Sequence, residues 1–190
     1  MEQEDLTYLN EFEHSLRQEL LRYCTEKKLL NGQLYQVEEL DEKWHIEMPY
    51  YCADAVPEIA KYPHSSIVWA AYVGMGYAAV WDDSWNTKKD INLYQMIRDT
   101  KDYDHIDEAV VETIIGLDPK GEEVRLLTEV MIACANTALT RIHKEEIEPQ
   151  SKMAFYVYAR CITVFFSLGV ALELKRRGYL YQKMKISDLN

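Results

Sequence analysis

Residues Ile67–Trp85 read IVWAAYVGMGYAAVWDDSW. No charge occurs before Asp82, and the run then closes on two aspartates between Trp81 and Trp85. Small and large apolar residues alternate irregularly, without the period of two that marks a half-buried strand. The run is too long for a core strand and fits a helix buried on all sides. Gly74 and Gly76 each cost about 1 kcal/mol against alanine inside a helix. Beside Ala70, Ala71, Ala78 and Ala79, they predict close approach of a second helix, with a ligand pocket as the alternative.

Outward from this stretch, other segments also read as helices. Leu6, Leu9, Leu16, Leu20 and Cys24 recur at helical steps over about residues 4–28, and Asn31-Gly32 stops the run. A second helix is expected over about residues 34–47. Pro49, Pro57 and Pro63 follow and predict short helical pieces. Ser65 or Ser66 is expected to cap the opening helix, which runs to about Asp82. Shorter helices are expected over residues 91–100 and 106–115, the second ended by Gly116. Long ones follow over about residues 122–146 and 151–177. The last passes through FYVYARCITVFFSLGVALEL, a second nearly all-apolar run. Gly (7) and Pro (5) are scarce among 190 residues, which disfavours a turn-rich β fold. The fold class is all-α: a single-domain multi-helix bundle over residues 1–190 around two nearly all-apolar central helices. Residues 185–190 could form a short disordered tail.

Composition bounds the function. Hydrophobic residues make up 48% and charged residues 28%, an ordinary globular mixture. A net charge of -11 repels phosphate backbones and anionic lipid, so nucleic acid is not an expected partner. A membrane span needs about 20 consecutive apolar residues. The first apolar run is shorter, and the second carries Arg160 at its middle, worth about 3 kcal/mol against insertion. No membrane role is expected. Cys24, Cys52, Cys134 and Cys161 make no C-x-x-C pair, the N-terminus MEQEDLTYLN has no leader pattern, and a cytoplasmic location is expected.

Five residues form the candidate ligand site: Asp82, Asp83, Arg160, Tyr72 and Tyr156. Two acids at a helix C-terminus oppose its dipole and call for a cation, an arginine or a metal. Tyr156, Arg160, Thr163 and Ser167 make one stripe on the last helix; Ser65, Tyr72, Gly76 and Asp83 make another on the central one. If the stripes face each other, Arg160 meets a carboxylate, because a buried unpaired guanidinium is very costly. Arg160 on a solvent-facing edge, or in a core ion pair, is the alternative. A third stripe, Arg125, Glu129, Asn136, Thr140 and His143, reads as a solvent-facing side.

Glu-x-x-His occurs at Glu11–His14 and Glu42–His45, the spacing of di-iron bundles, but Glu11 and His14 point away from the leucine face. DDSWN, Asp82 to Asn86, resembles the acidic motif that closes a helix in all-α terpenoid synthases, where it binds magnesium and diphosphate. Asn136 and Thr140 match two positions of that family's second metal motif. Lys144 stands where an acid belongs, and Glu145 comes one residue late. The match spans a small part of the chain and assigns no family; its weaker form is a divalent cation on Asp82, Asp83 and a third carboxylate. No metal site and no cofactor are predicted.

Of 14 Tyr and 4 Trp, Tyr50, Tyr51, Tyr62, Trp69, Tyr72, Tyr77, Trp81 and Trp85 crowd the middle of the chain and favour recognition over any particular reaction. The leading reading is a non-catalytic binding, interaction or regulatory protein, monomeric or homodimeric, with a protein or small-molecule partner. The alternative is a small-molecule sensor or cation-dependent enzyme with its pocket at Asp82, Asp83 and Arg160.

Overall fold

The computed structural model describes residues 3–59, 63–145 and 147–179, and the side chains among them except those of residues 58 and 59. The expected tail at 185–190 lies outside the described residues. The helices are α1 (Gln3–Glu26), α2 (Glu38–Ile59), α3 (Pro63–Lys88), α4 (Leu93–Arg98), α6 (Glu122–Lys144) and α7 (Lys152–Arg176). Between α4 and α6, Ile106–Glu108 opens as α-helix and widens into a π-helix over Ala109–Ile115; together these are α5. No strand occurs among the described residues, and the fold is an all-α bundle around one apolar core.

α3 and α7 form its centre. Their directions follow from three contacts: Tyr158 lies beside Ser66, Phe166 meets Gly74, and Arg177 meets Asp83. The two helices therefore run parallel. α1 runs the same way along α7, with Glu13 at Arg160 and the Lys28 carbonyl at Lys175. α2 and α6 run opposite. Trp44 and Met48 of α2 meet Phe166 and Thr163, while Tyr72 and His64 of α3 meet Thr128 and Asn136 of α6. From Ser66 to Val80 every residue of α3 is buried except Trp69, which is partly so.

The two central helices touch through glycine in both directions. A Cβ on Gly74 would overlap the Phe166 carbonyl oxygen and stand 3.0 Å from the Val170 nitrogen. A Cβ on Gly169 would overlap the Ala71 carbonyl oxygen. Gly76 differs: its neighbours are the side-chain tips of Ile97 and Val110, at 2.9 and 3.3 Å. Close helix–helix contact is thus the reason for Gly74, and packing under α4 and α5 is the reason for Gly76.

Local expectations fail at three places. α2 begins later than expected and continues through Pro49 and Pro57. The bonds those prolines cannot donate would reach the carbonyls of His45 and Ala53, both exposed residues, so the loss falls on the solvent side of the helix. The buried Leu40, Trp44, Tyr51, Cys52 and Ala55 stripe holds the helix. Ser65 and Ser66 lie inside α3, which starts at Pro63; the Ser66 hydroxyl donates back to the Pro63 carbonyl at 3.1 Å. α3 also continues past Asp82 to Lys88, across a kink at Ser84 (φ -155, ψ 25). Asn92, by contrast, caps α4 by accepting from the Gln95 N–H at 2.8 Å, and Ser151 caps α7.

α7 is long and apolar enough to cross a membrane by length and composition, but 72% of its most apolar window is buried by the bundle. Gly74→Ala and Gly169→Ala should each lower stability by about 3 kcal/mol, because the colliding atom is backbone. Gly76→Ala should be near neutral, since the Ile97 tip can rotate and alanine gains about 1 kcal/mol of helix propensity. Urea unfolding of the three variants checks this.

Candidate functional site

The parallel run of α3 and α7 separates the expected site into two. Asp82 and Asp83 lie just before the Ser84 kink of α3, level with the C-terminal end of α7, and Arg160 lies in the N-terminal half of α7. The proposed convergence of Asp82, Asp83 and Arg160 is therefore not formed. Facing stripes would need antiparallel helices to bring residue 83 near residue 160.

Asp82 and Asp83 do have the cation their position calls for. Arg177 Nη1 donates to both, at 2.8 Å each, and Nη2 donates to Asp83 at 3.1 Å. Its Nε reaches the fully buried Glu173 at 2.6 Å. Arg176 forks onto the same carboxylate with two bonds of 2.7 Å. The Tyr179 hydroxyl donates to Asp82. That hydroxyl and the Arg177 guanidinium hold the Asp82 carboxyl below the usual aspartate range. Among the described residues no group of acids, histidines and cysteines could hold a metal ion. The divalent-cation reading gives way to a structural knot centred on Arg177. Asn136 and Thr140 stand on the exposed side of α6, where Asn136 pairs with His64 at 2.7 Å. Tyr72 is buried and bonds Thr128 at 3.0 Å, inside the α3–α6 seam.

Arg160 and Tyr156 do meet at a cavity, of about 380 Å³, between α1, α2 and α7. All four members of the α7 stripe, Tyr156, Arg160, Thr163 and Ser167, line it. The opposite wall is α1 and α2 rather than α3. Arg160 Nη1 donates to Glu13 at 2.6 Å, and Nη2 donates to the Asn10 side-chain oxygen at 3.2 Å. Arg17 Nη2 donates to the other Glu13 oxygen at 3.1 Å. One carboxylate thus holds two guanidinium groups. Trp44, 3% exposed, lines the cavity while its ring stacks on Phe166 at 4.3 Å. Arg17 Nη1 and Trp44 Nε1 are buried donors with no acceptor among the described residues. Each such donor costs about 1–3 kcal/mol.

Glu13, Arg17 and Trp44 are absent from the expected site. A signal for Glu13 existed: it falls between Leu9 and Leu16 on the apolar stripe of α1, where a charge needs a partner. Two other buried acids lie outside the expected site. Glu173 has its arginines, and Glu47 accepts from Lys43 (2.8 Å), the Tyr94 N–H (3.0 Å) and the Tyr77 hydroxyl. The tryptophans are all at least partly buried. The exposed large apolar side chains are elsewhere, foremost Ile46 and Tyr50 on α2.

No family model, curated protein or solved structure matches this chain.

The two arginine sites should respond differently to substitution. Arg177→Gln should cost about 2 kcal/mol, because it strips a partner from a buried carboxylate. Arg160→Leu should cost only about 1 kcal/mol, since its pair with Glu13 is partly exposed and Arg17 still holds that carboxylate. Thermal unfolding separates them. The Asp82 carboxyl should titrate below ordinary aspartate in ¹³C NMR. Its lowered folded-state pKa means that its stabilising contribution is present at neutral pH and is lost as pH falls through that value.

Proposed function

We propose that this chain is a non-catalytic binding protein of the cytoplasm that takes a small molecule in the cavity between α1, α2 and α7. The observation that carries this reading is the cavity itself, where Arg17, Arg160 and Glu13 stand beside Leu9, Met48 and Trp44. A mostly apolar hollow with a few charged groups is the usual form of a small-molecule site. The site's residues hold and orient; no reaction is part of this proposal. Four buried, unbridged cysteines support a reducing compartment.

A second reading rests on Ile46 and Tyr50, one helical turn apart on α2 and 70% and 55% exposed. They would seat a protein partner on an acidic surface, with the cavity incidental.

Native mass spectrometry of the protein as purified, set against its denatured mass, tests the first reading. An excess mass lost in Arg160→Gln supports it. A clean mass, together with no change in melting temperature across a panel of acidic, basic and neutral metabolites, would remove it and leave the protein-partner reading.

A further inference from the structure

Resting on the protein-partner reading above, and independently of the cavity, we infer that the outer face of α2 docks a basic amphipathic helix of a partner protein. The face has two halves. Glu38, Glu39 and Glu42 stand on it first, all exposed. Ile46, Pro49, Tyr50, Ala53, Val56 and Pro57 follow at helical steps, also exposed, with His45 at the border. From Ile46 to Pro57 no exposed residue of α2 carries a charge. α1 shows the contrast: all its exposed residues are polar, Glu4, Glu11, His14, Gln18 and Arg22 among them, as on a face that meets only water.

The apolar half is stiff and broad. Proline and alanine have no side-chain rotamers to lose, so Pro49, Ala53 and Pro57 can be covered at little entropic cost. The surface also extends onto α7. That helix runs opposite to α2, with Thr163 at Met48 and Tyr158 beside Cys52. The exposed Phe155 therefore falls level with Val56. Contiguous exposed apolar surface of this kind marks an interaction site.

Charge selects the occupant. Charges that flank the apolar half are already paired within the molecule: Lys43 with Glu47 at 2.8 Å, and Asp54 with Arg98 at 2.9 Å. The three glutamates are paired with no described residue. Glu38 and Glu39 also suit the positive end of the helix dipole, but Glu42 lies beyond the first turn, where that effect has faded. A helix with an apolar stripe and lysine or arginine at one end of it matches both halves in one register. A second copy of this chain would bring acid to acid, at a net charge of -11 each. An anionic bilayer would meet the same repulsion.

The test uses the full chain and three peptides: an amphipathic helix of leucine and lysine, and the same peptide with every lysine replaced by glutamine or by glutamate. Fluorescence anisotropy gives the affinities, and the methyl resonances of Ile46 and Val56 report on the face. The lysine peptide should shift both resonances. It should bind at least about tenfold more tightly than the glutamine peptide, the gain expected of three exposed ion pairs together. High salt should erode that preference. Ile46→Ser and Tyr50→Ser should each weaken binding about tenfold without lowering the melting temperature. Glu38→Gln, Glu39→Gln and Glu42→Gln together should abolish the preference for lysine. The same number of exposed acids removed from α1, by Glu4→Gln, Glu11→Gln and Glu26→Gln, should leave it intact. Equal binding of the lysine and glutamine peptides, lost in Ile46→Ser, would overturn the basic partner and leave the face as a protein-docking site. A lysine preference that survives both Ile46→Ser and the α2 glutamines would be general attraction to an acidic chain, and would also overturn the inference. So would a dimer that Ile46→Ser dissociates, in favour of a second copy, or flotation with phosphatidylcholine vesicles lost in that variant, in favour of a membrane. No binding of any peptide by a monomer that ignores vesicles would remove the protein-partner reading as well.

Discussion

Gly74 and Gly169 let the backbones of α3 and α7 meet, each pressed against a carbonyl of the other helix. Side chains normally hold packed helix axes about 8–10 Å apart. Glycine removes that spacer, at the propensity cost already noted, and the gain is dispersion contact along a seam that excludes water. The register of this seam then decides what stands at each end. It places Ser66 beside Tyr158 and Asp83 beside Arg177. It also leaves the face of α7 that carries Arg160 turned to α1 and α2. The positions of both charged sites follow from two glycines that carry no chemistry themselves.

Parallel central helices bring like dipole ends together. At the C-terminal ends of α3 and α7 the unfavourable potential is deepened by Asp82, Asp83 and the buried Glu173. Arg177 answers all three carboxylates from one guanidinium, and Arg176 shares Glu173. A guanidinium suits this task because its donors are spread over a rigid plane and its charge is permanent. The same residue type works differently beside the cavity, where two guanidinium groups share the Glu13 carboxylate.

Much of this was legible in the sequence. The apolar runs gave both central helices, the leucine stripe gave α1, and the spacing of Tyr156, Arg160, Thr163 and Ser167 gave the stripe that lines the cavity. The argument that Asp82 and Asp83 need a cation was also sound. What the sequence withheld was direction and neighbour. A stripe says that residues share a face and does not say which helix covers it, so spacing alone matches Arg160 with acids that Arg177 holds. Two prolines looked like helix ends, because their cost depends on whether the freed carbonyls see water, and only tertiary structure decides that. Gly169 sits in a run whose apolarity alone signals burial, although it makes the same contact as Gly74 from the other side. Glu13 was masked in the opposite way, as an ordinary charge on a helix rich in charges.

The parallel pairing has a consequence for how the molecule is made. α3 and α7 are the closest partners in the core, yet α4, α5 and α6 lie between them in the chain. During synthesis α3 leaves the ribosome with its glycine-bearing face uncovered, and that face stays uncovered until α7 has emerged. The antiparallel helices α2 and α6 can dock earlier, but neither fills the groove over Gly74. The core is thus completed by its last helix, through contacts of large sequence separation, which slow folding and prolong the exposure of apolar surface. Nascent chains halted before residue 152 would carry the most apolar helix of the first half without its mate, and they are the species a chaperone would hold.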